Sequence, residues 1–169
     1  MQPALVATVS DKVKVTRDGN ALSAVLEGGE SQDAWLARLA EAVGTTDTEI
    51  AELTLRMLAS GLGRSDDVIL NGILAQLQEM KPRDAVERCL IIQMLLTAHR
   101  SIQALTASAS ADSQEEQEMK SALAMRFMRL YLQQCEALRK FRTGGSQTIT
   151  INHMNVDKAV IGAPALGRG

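Results

Sequence analysis

The sequence predicts a mainly helical protein, and three observations carry that expectation. Aromatic residues make up only 2% of the 169 residues while Ala, Leu and Met abound, a mixture that favours helix over sheet. Apolar residues recur at three- and four-residue spacing from Trp35 to Phe141. Strand-like alternation is confined to the two ends of the chain. With 46% hydrophobic and 22% charged residues the composition is that of a folded domain, and the length suffices for a substantial core.

Residues 1–30 read as a weakly structured arm. Leu5, Val6 and Val9 lead to Val13 and Val15, which alternate with Lys12, Lys14 and Thr16 before a turn signal at Asp18-Gly19, so this segment offers a short strand or a mobile arm. Residues 31–80 form a small helical region. Its first helix carries Trp35, Leu36, Leu39 and Val43 within an acidic stretch, which gives it an acidic outer face. Gly44 ends it, and Thr45-Thr46-Asp47 caps a second helix with the stripe Ile50, Leu53, Met57 and Leu58, stopped by Gly61 and Gly63. Ser65-Asp66-Asp67 caps a third, carrying Ile69, Leu70, Ile73, Leu74 and Leu77, that runs out before Pro82.

Residues 81–143 should form a long antiparallel helical hairpin. Pro82 suits the first turn of its first helix, and Asp84 and Glu87 favour the positive end of the helix dipole. That helix is expected to reach about Leu105. Its middle, from Cys89 to Leu96, is apolar nearly all the way round, so it must be central. A small-residue linker at 107–111 leads into a helix from about Ser113 to Arg142 with two apolar stripes. Met119, Leu123, Phe127, Leu130, Leu138 and Phe141 lie on one, and Met125, Met128, Leu132 and Cys135 on the other. One stripe faces the hairpin partner; the other needs the first three helices or another subunit.

Residues 144–169 are expected to hold a single C-terminal β-strand and a flexible tail. Gly144-Gly145 breaks the helix, and residues 147–156 alternate in the manner of a strand, with Ile149, Ile151 and His153 on one face. A lone strand leaves backbone donors and acceptors unpaired, so pairing between subunits is the expected solution. The candidate oligomer interface is therefore Met125, Met128, Leu132, Ile149, Ile151 and His153.

A net charge of -2 gives no global attraction to nucleic acid or anionic membrane. Any DNA contact must be local, and Arg126, Arg129, Arg139, Lys140 and Arg142 are the candidates, weighed against a solvated face that merely complements the helix dipole. Residues 39–53 have the apolar and glycine spacing of a helix-turn-helix, but the would-be reading helix begins Thr46-Asp47-Thr48-Glu49, whose acids would repel phosphate. Cys89 and Cys135 form no CxxC and read as core thiols of a cytoplasmic protein. No apolar stretch is long enough to cross a bilayer. His99 and His153 are the only histidines and have no ligand at metal spacing, the pair Gly61 and Gly63 lacks a third glycine, and neither a phosphate loop nor a nucleophile elbow occurs. The expectation is a non-enzymatic protein with no cofactor and no metal.

Two resemblances add to this. Lys81-Pro82-Arg83-Asp84 before an apolar helix with Gln93-Met94, then Arg142-Thr143-Gly144-Gly145-Ser146-Gln147, the 149–156 strand and Ala159-Val160-Ile161-Gly162 resemble uncharacterised bacterial proteins with an R-x-G-G-x-Q-x-V-x-V-x-H-V-x-V tail. That likeness spans about Gly44 to Gly162 and is nearly silent on function; Asp157-Lys158 replaces the two glycines usual there. The order of parts is also similar to phage small terminase subunits, an architectural analogy that departs in lacking a convincing basic domain before the hairpin. Together they imply a homo-oligomeric, ring-like assembly protein with duplex DNA and a large terminase or other protein as partners. The alternative is a bacterial adaptor or regulatory protein whose apolar helices bind a protein partner.

Overall fold

The computed structural model describes residues 12–18, 21–63 and 67–144. Two short strands, β1 (Val15–Asp18) and β2 (Ala21–Ala24), pair antiparallel with Val15 opposite Ala24. Five helices follow: α1 (Gln32–Ala42), α2 (Thr48–Leu62), α3 (Asp67–Met80), α4 (Ala85–Ala109) and α5 (Gln114–Arg142). The mainly helical expectation holds. The C-terminal strand at 147–156, with Ile149, Ile151 and His153, lies outside the described residues.

The strand option at Val13 and Val15 is realised, since both side chains are buried in the core. A two-stranded sheet is marginal without further packing. Here Asn71 of α3 supplies it: its side-chain oxygen accepts from Val15 N–H at 2.8 Å and its amide nitrogen donates to Val15 C=O at 2.9 Å. One amide thus stands in for a third strand. Trp35 of α1 adds a bond from its indole N–H to Lys14 C=O at 3.2 Å.

Each helix begins as its side chains dictate. Ser31, Asp47, Asp84 and Ser113 have extended backbones and accept from amides in the first turns of α1, α2, α4 and α5 respectively. Pro82 is not inside α4. Lys81 adopts φ +47° and turns the chain, so the cap falls on Asp84 and Pro82 is buried outside the helix, beside Gly44. Gly44 ends α1 at φ +72°, a conformation glycine adopts without penalty. Gly61 does not stop α2. It lies inside the helix, where Leu96 of α4 occupies the space a Cβ would need, and Gly63 is the residue that terminates α2.

The core gathers α1, α2 and α3 around the first half of α4, with Leu39, Leu58, Leu70, Leu74, Leu77 and Ile91 fully enclosed. The stripe expected on α2 is displaced. Leu58 is buried, but Ile50, Leu53 and Met57 are exposed, and the helix buries Ala51, Thr54, Leu55 and Ala59 instead. The smaller residues allow close helix approach, and Thr54 settles its hydroxyl on Ile50 C=O at 2.8 Å. The central position of α4 is confirmed by the burial of Ile91, Ile92, Met94 and Leu95, although Cys89 and Gln93 face solvent.

Beyond Leu95 the buried residues of α4 are Thr97, Ser101, Ala104 and Ser108, all small. Ser108 donates its hydroxyl proton to Gln117 C=O at 3.2 Å and accepts from the Ser121 hydroxyl of α5 at 2.6 Å. α4 continues to Ala109, past the expected end near Leu105, so the loop is only 110–113.

α1, α2 and α3 have no basic residue in their last turns. Arginines from elsewhere serve their C-terminal carbonyls. Arg88 donates to Gly44 C=O at 3.0 Å and Arg100 to Gly61 C=O at 2.8 Å. Arg17 donates to Ala59 C=O at 2.9 Å and also to Gly63 C=O, and Arg142 to Met80 C=O at 2.6 Å.

Candidate association surface

The side chains of α5 divide differently from the two-stripe expectation. Ala124, Gln134 and Leu138 are buried, with Phe127, Met128, Tyr131 and Cys135 half-buried beside them, so the hairpin seam draws from both stripes. Met119, Leu123, Leu130 and Phe141 are left exposed on one flank, and Met125 and Leu132 on another roughly opposite, since residues two apart on a helix diverge by about 200°. Of the candidate interface residues, Met125 and Leu132 are therefore exposed, at 49% and 66%, while Met128 is half-buried in the seam.

α4 adds Val86, Ile102 and Leu105 to the exposed apolar residues. None of these three was marked by the sequence, because the all-round apolar middle of α4 drew attention to 89–96 alone. Ile102 borders a cleft between α3 and α4 that also includes Ile69, Gly72, Leu95 and His99. Burial, then the neighbouring Arg100, lowers the His99 pKa and favours the neutral imidazole. Among the described residues no cluster of His, Cys, Asp or Glu is arranged to hold a metal ion. No helix among them is long and apolar enough to cross a membrane.

The five basic candidates do not form one patch. Arg142 is tied to Glu87 and Met80, Arg139 makes a forked pair with Glu136 at 2.9 and 3.0 Å, and Lys140 shares that carboxylate at 3.6 Å. Arg126 and Arg129 are exposed and carry no ion pair among the described residues. In the segment weighed as a helix-turn-helix, residues 46–49 are exposed with the acids the sequence places there, and Ile50 and Leu53 do not enter the core.

Glu87, read from sequence only as a dipole-matching acid, is the one carboxylate among the described residues sealed completely from solvent, at 0% exposure. Its two oxygens accept from Arg83 Nε at 2.7 Å, Arg83 backbone N–H at 3.1 Å, and Arg142 Nη2 at 3.2 Å. The Arg83 side-chain bond, opposed by burial and aided by Arg142, holds its carboxyl down at about 2, well below the usual carboxylate range. This joint locks the start of α4 to the end of α5. The i, i+4 spacing of Arg83 and Glu87 was the available signal; the participation of Arg142 had none.

The core-thiol expectation is corrected for Cys89, which is exposed because it lies on the solvent side of α4 between the α1–α3 face and the α5 face. Cys135 is half-buried in the seam, where it and burial raise the Tyr131 pKa. Comparison of the chain with protein-family models, curated proteins and solved structures gives no match.

Proposed function

We propose that this is a non-enzymatic, homo-oligomeric assembly protein whose hairpin is its association element. The observation that carries this is the exposure of Leu123, Leu130, Phe141, Met125 and Leu132 on a helix whose third face already packs on α4. Exposed apolar residues gathered on the flanks of one helix mark interaction sites. The specific form proposed is a cytoplasmic, ring-like DNA-packaging component of the small-terminase kind, supported by the order of parts: small helical region, long hairpin, C-terminal segment. Light scattering on a size-exclusion column should give a mass that is a multiple of 18.2 kDa at micromolar protein. A strict monomer overturns the proposal.

DNA contact is assigned to Arg126 and Arg129, since Arg139, Lys140 and Arg142 are engaged within the chain. The unaltered protein should retard duplex DNA at low salt, and the double substitution Arg126→Ala/Arg129→Ala should weaken binding and flatten the salt dependence by about one to two units of log-log slope. No retardation by the unaltered protein removes DNA from the proposal and favours the adaptor, in which the same apolar flanks take a different protein.

A further inference from the structure

We propose that α5 pairs antiparallel with α5 of a second copy along the flank that holds Leu123, Phe127, Leu130, Ala137 and Phe141. This rests on the self-association proposed above and adds its occupant, face and direction.

The face is set by periodicity and exposure. These five positions advance by four, three, seven and four residues, so they stay on one side of the helix from residue 123 to residue 141, with Gln134 at the intervening step. Leu123, Leu130 and Phe141 are exposed at 44%, 42% and 44%, and Phe127 is half-buried at the edge of the seam with α4. The helix thus carries a second coiled-coil-like seam beside the one it uses internally. The opposite flank, with Met125 and Leu132, has no comparable run: the next position one heptad on is Arg139.

The occupant and direction are set by charge. The first turns hold Glu115, Glu116 and Glu118, of which only Glu116 has a cationic partner among the described residues, Lys120 at 2.5 Å. At the other end Arg139 and Lys140 share the single carboxylate of Glu136, which leaves positive charge in excess. The complement of each end is therefore the opposite end of the same helix. Antiparallel pairing over the full length of Gln114–Arg142 sets acid against base at both ends and opposes the two helix dipoles, whereas parallel pairing sets like charges side by side. Such a contact is isologous and closes on itself as a two-fold, so a ring built from it has dihedral symmetry.

Single cysteines in a Cys89→Ser/Cys135→Ala background test this with a short bis-maleimide. Full-length antiparallel pairing puts the two copies of residue 130 about 6 Å apart along the axis and those of residue 119 about 27 Å apart, at about 1.5 Å per residue. Leu130→Cys should cross-link to itself, and Met119→Cys should not. In the otherwise unaltered chain, Leu130→Asp should lower the light-scattering mass while leaving helix content unchanged by circular dichroism. An oligomer that links at 119, fails to link at 130, or keeps its mass with Leu130→Asp overturns this interface and leaves self-association standing. A monomeric unaltered protein overturns both.

Discussion

Glu87→Ala should lower stability by about 3 kcal/mol, the largest loss expected from any single side chain outside the apolar core. The carboxylate is fully enclosed, and its removal takes the shared acceptor from the partly exposed Arg83 and Arg142, leaves the Arg83 backbone N–H without its partner and frees the Met80 carbonyl to lose its donor as Arg142 relaxes. Urea unfolding at neutral pH should show a lower midpoint with an unchanged slope. The pH dependence identifies the cause. With a folded value near 2 and an unfolded value near 4.5, the contribution of Glu87 is complete above about pH 4.5 and is lost as pH falls through 2. After allowance for the partly exposed arginines, the acid-sensitive part is about 2 kcal/mol. The gap between the unaltered protein and Glu87→Gln should stay constant from pH 7 to pH 5 and narrow below it. A gap that does not change with pH would show that packing, rather than the ionised carboxylate, supports the joint.

Gly44→Ala should cost about 2 to 4 kcal/mol. Gly44 has φ +72°, so an alanine there carries conformational strain. It also lacks space. A Cβ at Gly63 meets nothing, whereas one at Gly44 collides with the carbonyl oxygen and ring of Pro82. A backbone carbonyl cannot swing aside as a long side chain does, and this one is fixed between Lys81 at positive φ and the cap of α4. A cost of Gly44→Ala below about 1 kcal/mol in chemical denaturation would falsify the view that the α1 terminus is fitted against the α3–α4 turn.

Much of the helical framework was legible because its punctuation is local. Gly44, Asp47 and Ser113 mark boundaries through bonds made within one turn, and the stripe Leu70, Ile73, Leu74 and Leu77 of α3 is unambiguous because no rival face exists. The faces of α2 and α5 were harder. On α2 two neighbouring faces are apolar, and the one with smaller residues packs because it permits a closer approach, a property that hydrophobicity alone does not rank. On α5 the apolar residues extend over more than half of the circumference, so two stripes could be drawn while the true seam ran between them. β2 had no signal, since Ala21-Leu22-Ser23-Ala24 contains no β-branched residue and becomes a strand only beside Val15. Glu87 looked like an ordinary first-turn acid because its third partner lies 55 residues away.

The arginine bonds to the ends of α1, α2 and α3 have a consequence for how the chain acquires its structure. A helix with a basic last turn carries its own terminator and can persist while its surroundings are unformed. Here the terminators of α1 and α3 arrive from 44 and 62 residues later in the chain, and one of those of α2 from 42 residues earlier. A stretch emerging during synthesis therefore holds α1 and α3 with their last carbonyls still awaiting donors and α2 with only the bonds from Arg17, and the arrival of α4 and then the last residues of α5 completes them. The ends of these helices are thus completed from both sides of the chain, α1 and α3 from its C-terminal side, so the parts gain stability together rather than in turn.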